Sequence, residues 1–186
     1  SECVDVGEGE AEEENLEESL MLVAEEAEES WEETVTDGTY TDENGIVYHF
    51  HVCDDGTANI YELESYKAAY PDGKEINIPA YMDGHTVTQL TFTMSDSTRF
   101  PSVTIPETIT YMGSDAFKFA TIDELYYNAE AARTDAFEDD GGSFTRAVIK
   151  ELYIGENVKV IPDALFSWAE INLDELVLNV ESIGEY

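Results

Sequence analysis

The side chains of this chain that could do chemistry are few, and His49 and His51 come first. They stand two residues apart where polar and apolar side chains alternate, so both would project from one face of a strand and could hold a metal ion between two imidazoles. The third histidine, His85, falls in the turn Met82-Asp-Gly-His85 and supplies no obvious further ligand, so solvent-facing strand histidines are expected and no metal is assigned. Cys3 and Cys53 fit neither a CxxC nor a zinc spacing. In an oxidising compartment a single Cys3–Cys53 bridge is open to the chain and would tether its N-terminal stretch. The turns Asp42-Glu-Asn-Gly45, Asp54-Asp-Gly56 and Asp139-Asp-Gly-Gly142 offer oxygens of the kind calcium prefers. Counting back from each Gly, however, puts Tyr40, His51 or Phe137 where an EF-hand needs its first Asp, and turn chemistry accounts for all three. No G-x-S-x-G elbow, Gly-rich phosphate loop or H-E-x-x-H helix is present, and among 43 acidic residues a carboxylate pair carries no information. The expectation is a protein that is not an enzyme and has no cofactor.

One aromatic pair keeps a chemical use, Tyr126 and Tyr153, and its value depends on the elements that position it. Short strand motifs begin at Ile76-Asn-Ile-Pro79, Val103-Thr-Ile-Pro106, Leu125-Tyr-Tyr-Asn128, Leu152-Tyr-Ile-Gly155 and Leu176-Val-Leu-Asn179. Their spacing of 27, 22, 27 and 24 residues implies stacked units of a solenoid. In each motif the first and third residues face one way and the middle residue the other. Val103/Ile105, Leu152/Ile154 and Leu176/Leu178 would point inward, while Asn77, Thr104, Tyr126, Tyr153 and Val177 would form an outward ladder at intervals of about 4.8 Å. Two adjacent exposed tyrosines would make a contact patch for a protein or a sugar ring. Cross-strand packing that serves only the sheet explains the same pair equally well. Tyr126, Tyr153, Thr104 and Asn77 are the candidate ligand-binding residues.

The rest of each unit follows from the need to bury one side of the strand. Phe100, Ile122, Ile149 and Leu173 stand three residues before their strand motifs. A second apolar pair follows the turn, namely Ile109/Met112, Val158/Ile161 and Val180/Ile183, with Gly113, Pro162 and Gly184 just beyond. Asp115-Ala-Phe117, Asp135-Ala-Phe137 and Asp163-Ala-Leu-Phe166 then close the coil, a small residue allowing the bend and a Phe filling the interior. The third unit departs from this pattern, with Asn128 in place of Pro, Ala131 in the second pair and an apparent insertion at 138–143.

A unit that reads apolar-x-Ile-Pro, then apolar-x-x-Ile-Gly, then Ala-Phe resembles the BspA-type leucine-rich repeats, and residues 103–117 match that pattern closely. The resemblance spans about residues 40–186, because 46–60 with Asp55-Gly-Thr-Ala58 is similar to the hairpin that commonly precedes the first such repeat. It implies a mainly β leucine-rich-repeat solenoid with short helical or irregular segments, a β-hairpin cap at 39–66 and repeats from about residue 75. It also implies a secreted or cell-surface bacterial protein with a role in recognition or adhesion. It supplies no binding residues to carry over.

Charge sets the remaining bounds. The 186 residues carry a formal net charge of −35 with only eight Lys plus Arg, and none of these precedes Lys67. Nucleic acid is excluded as a partner, since phosphate neutralisation needs clustered Lys and Arg. The longest uninterrupted apolar run, at 20–24, is far short of the roughly 20 residues a spanning helix requires, so no membrane insertion is expected. Residues 1–37 read as an acidic arm and 38–186 as the folded domain. In the arm, Leu16, Leu20, Val23, Ala27 and Trp31 recur at helical spacing, which predicts a partly helical segment that either covers the open end of the repeats or binds a partner. The expected function is non-catalytic binding of a protein or glycan through the strand face. The alternative is an acidic partner-binding protein whose arm engages a basic protein.

Overall fold

Turn chemistry starts the fold. Asp42 Oδ1 accepts the backbone N–H groups of Asn44 (2.9 Å) and Ile46 (2.8 Å), and Gly45 takes the positive φ that closes the turn. Strand β1 (Thr36–Thr41) is thereby folded antiparallel onto β2 (Val47–Val52). A second turn at Cys53-Asp-Asp-Gly56 brings back β3 (Ala58–Leu63), with a register shift between His49 and Phe50. The N-terminal element is therefore a three-stranded meander and not the two-stranded hairpin expected from alternation over residues 39–66. Asp42-Glu-Asn-Gly45 interrupts what alternation alone reads as one strand.

The computed structural model describes residues 36–94, 97–134, 141–172 and 181–184. Residues 36–186 fall in one compact unit and residues 1–35 in another. Strand makes up 45% and helix 3%, so the class is mainly β, with sheets that do not close. Among the described residues the one α-helix is the four-residue α1 (Tyr66–Ala69). The partly helical expectation is not borne out, and the arm stripe from Leu16 to Trp31 on which it rested lies outside the described residues. No helix among the described residues is long and apolar enough to cross a membrane.

After the meander the chain alternates between two sets of parallel strands. One set comprises β4 (Ile76–Asn77), β7 (Arg99–Ile105), β9 (Thr121–Tyr127), β11 (Val148–Ile154) and β13 (Glu170–Ile171), hydrogen-bonded in that order. The register matches the motif alignment, with Ile76, Val103, Leu125 and Leu152 as successive Cα partners. The other set continues the meander sheet through β6 (His85–Leu90), β8 (Tyr111–Met112) and β10 (Arg133–Thr134), with β5 (Tyr81–Met82) folded antiparallel on β6. A separate pair joins β12 (Val160–Ile161) to β14 (Ser182–Ile183).

Between the two sets lies the core. Phe100, Val103, Ile105, Ile122, Leu125 and Ile149 are fully buried, the rings of Phe92, Phe100, Phe117 and Phe144 run through its centre, and the half-buried Phe166 stacks on Phe144. Two positions differ from expectation here. In the third unit a ring missed in the sequence, Phe144, stands in the core, because the N–H groups of Phe117 and Phe144 donate to Ser143 and Leu165 and so align Phe117, Phe144 and Phe166 in one column. Phe137 lies outside the described residues. Gly142, within the supposed insertion, lets the chain approach the next segment closely, since a Cβ there would lie 2.4 Å from the Ala164 carbonyl oxygen. In the fifth unit Ile171, not Leu173, stands opposite Ile149, and Ile183 stands opposite Ile161, both 22 residues further on. The motif Leu176-Val-Leu-Asn179 lies outside the described residues.

Tyr127 is the inward third residue of its motif and is fully buried, yet its hydroxyl has no hydrogen-bond partner and burial raises its pKa. An enclosed, unpartnered hydroxyl costs about 1–3 kcal/mol of desolvation. Tyr127→Phe is therefore expected to stabilise the fold by about 1 kcal/mol in denaturant melts. A loss of stability would reveal a partner for that oxygen.

Candidate functional site

Because β7, β9 and β11 pair in parallel without offset along their C-terminal halves, the middle residues of the motifs align. Asn77 stands opposite Thr104, Thr104 opposite Tyr126, and Tyr126 opposite Tyr153. All four candidate residues thus lie in one outward row, as the motif register predicts; Val177 lies outside the described residues. The two tyrosine rings stack with centroids 4.7 Å apart and planes 10° from parallel. Tyr153 is 45% exposed and Tyr126 half-buried.

Each hydroxyl is tied to a carboxylate on its own strand. The Tyr126 hydroxyl donates to Glu124 Oε2 at 2.9 Å and the Tyr153 hydroxyl donates to Glu151 Oε2. Glu124 and Glu151 are themselves direct cross-strand partners. Two like charges placed so would repel, and the phenolic donors offset part of that. At the end of the row the Asn77 side-chain amide donates to Glu75 Oε1 at 2.9 Å. The arrangement presents stacked aromatic faces whose polar ends are held by a line of carboxylates. The Glu residues were missed in the sequence, although the triplet Glu-Leu-Tyr recurs at 124–126 and 151–153.

Further along the same strands Asp123 receives Arg99 at 2.8 Å and Lys150 at 2.5 Å. Those two cations, Lys150 first, hold its carboxyl below the usual range. This bridge joins three adjacent strands beside the tyrosine row.

The tyrosines give a pH prediction. The hydrogen bond to Glu151 is the main cause that pushes the Tyr153 phenol up to about 12, and Glu124 raises Tyr126 in the same way. Since the folded value exceeds the unfolded one of about 10, the stability this bond contributes is complete below pH ~10 and lost as pH rises through about 12. In Glu151→Gln the Tyr153 titration followed by NMR is expected to fall back toward the ordinary phenol value. An unmoved titration would place the cause in stacking and not in the carboxylate.

His49 and His51 do share one face of β2, as expected. Each is engaged by a carboxylate, His49 Nε2 with Glu64 at 2.8 Å and His51 Nδ1 with Asp37, and the Tyr61 ring stacks on His51 at 4.0 Å. Among the described residues no three His, Cys, Asp or Glu side chains converge as a metal site. Cys53 is half-buried with a free thiol, and Cys3 lies outside the described residues.

No family model, curated protein or solved structure matches this chain.

Proposed function

We propose that this chain is a non-catalytic recognition module, a leucine-rich-repeat solenoid of BspA type from a bacterial surface or secretion, which binds a protein or glycan through the face carrying Tyr126 and Tyr153. The observation that carries the reading is the stacked, outward tyrosine pair with both hydroxyls fixed by Glu124 and Glu151. Aromatic side chains held rigid in advance lose little freedom on binding and offer large contact areas. The parallel register at 22- and 27-residue offsets supports the solenoid architecture. Sugars and basic segments both suit the face, because the ring faces and the carboxylates carry negative potential.

The second reading, an acidic arm that engages a basic protein, is favoured by the absence of any Lys or Arg before residue 67. One experiment separates the two. An array of extracellular matrix proteins and glycans is probed with the parent chain, with a variant lacking residues 1–37, and with Tyr126→Ser/Tyr153→Ser. Retention in the deletion and loss in the double variant supports the tyrosine face. The opposite pattern overturns it in favour of the arm.

A further inference from the structure

Phe119, Arg146 and Trp168 occupy equivalent places, each two residues before a strand of the parallel five-stranded sheet (β9, β11 and β13). The Phe119 N–H donates to the Thr145 carbonyl and the Arg146 N–H to the Ser167 carbonyl, so the three residues are stacked in register. All three have left-handed backbones, with φ of 59°, 54° and 52°. Gly or Asn takes that conformation at little cost, whereas bulky residues are strained by it. Such strain is ordinarily accepted where a large side chain gains a buried contact, but these side chains are exposed, Phe119 at 41% and Trp168 at 62%.

The Arg146 guanidinium lies over both rings, 5.8 Å from the Phe119 centroid and 5.4 Å from that of Trp168. In a chain with 43 acidic and eight basic residues, the Arg146 side chain makes no hydrogen bond or ion pair among the described residues. With no side-chain partner of its own, the guanidinium has N–H groups left to meet a carboxylate through two parallel hydrogen bonds.

We infer that the Phe119–Arg146–Trp168 ladder is a binding site for an acidic glycan, in which a uronic-acid carboxylate pairs with Arg146 and neighbouring sugar rings lie on Phe119 and Trp168. Two strand spacings, about 10 Å, separate the outer rings, so an oligosaccharide and not a small anion spans the site. An acidic peptide fits less well, because the backbone N–H groups of Phe119 and Arg146 already donate to the next unit and leave the ladder only side chains to offer. The site is separate from the tyrosine row, which lies at the other end of the same strands, and does not rest on the function proposed for that row.

The test is calorimetric titration of the full chain with short homogalacturonate oligomers. Their methyl esters serve as neutral controls, and a polyglutamate peptide serves as the protein-like acid. Binding of the free acid, with affinity lower by about tenfold or more for the ester, for Arg146→Gln and for Arg146→Lys, is the expected result. Phe119→Asn/Trp168→Asn is expected to weaken binding while the melting temperature stays level or rises, because Asn tolerates the left-handed turn. The inference is overturned if the parent binds none of the acids, if ester and acid bind equally, if polyglutamate is preferred, or if the Asn variant melts at a lower temperature, since the aromatics would then serve the fold.

Discussion

Phe117→Ala is expected to cost about 3–5 kcal/mol, the range for truncation of a fully buried Phe. The ring has no solvent exposure and touches the aromatic column on three sides: Phe92 edge-on at 5.3 Å, Phe100 edge-on at 5.7 Å and Phe144 stacked at 5.1 Å with planes 7° apart. Its own backbone N–H is bonded to Ser143 in the following unit, so the site cannot collapse inward without pulling that unit with it. The loss should spread along the chain on both sides, because the ring packs against Phe92 and Phe100 before it and Phe144 after it. Denaturant melts with probes in separate units check this. A change below about 1 kcal/mol would mean that the cavity is filled by repacking and that the column does not hold the units together.

Replacing Tyr126 and Tyr153 together by Ser is expected to weaken the ligand selected by the array by roughly 2–4 kcal/mol, the scale of an aromatic hot spot. Folding should change less, since an exposed cross-strand pair contributes only about 0.2–1 kcal/mol. Removing the phenols also leaves Glu124 and Glu151 facing each other without their donors, so part of any loss of stability belongs to that repulsion. Tyr126→Phe/Tyr153→Phe isolates it, because the rings stay while the hydroxyl donors go. Unchanged affinity in both double variants would remove the row from recognition.

The mainly β class, the strand register and the outward row were all legible in the sequence, for one physical reason. Side chains alternate along a strand, and a unit that buries one side only by stacking must repeat its apolar residues in step, so Ile76, Val103, Leu125 and Leu152 could be set opposite one another from spacing alone. The turn at Asp42-Glu-Asn-Gly45 is visible too, but alternation on both sides of it outweighs the turn and merges β1 and β2 into one expected strand.

What tertiary structure alone decided concerns residues whose roles depend on a neighbour many positions away. Phe144 joins the aromatic column because hydrogen bonds to Ser143 and Leu165 set the closing bend, and no local pattern reports them. Glu124 and Glu151 become a facing pair held by phenols only once two strands 27 residues apart lie side by side. Phe119, Arg146 and Trp168 lack any common residue type and follow no hydropathy rule; stacking of three left-handed turns joins them. Periodicity records what each unit must bury, and so it is written in the sequence. Contacts across the exposed surface are free to vary from unit to unit, and only the packed chain brings them together.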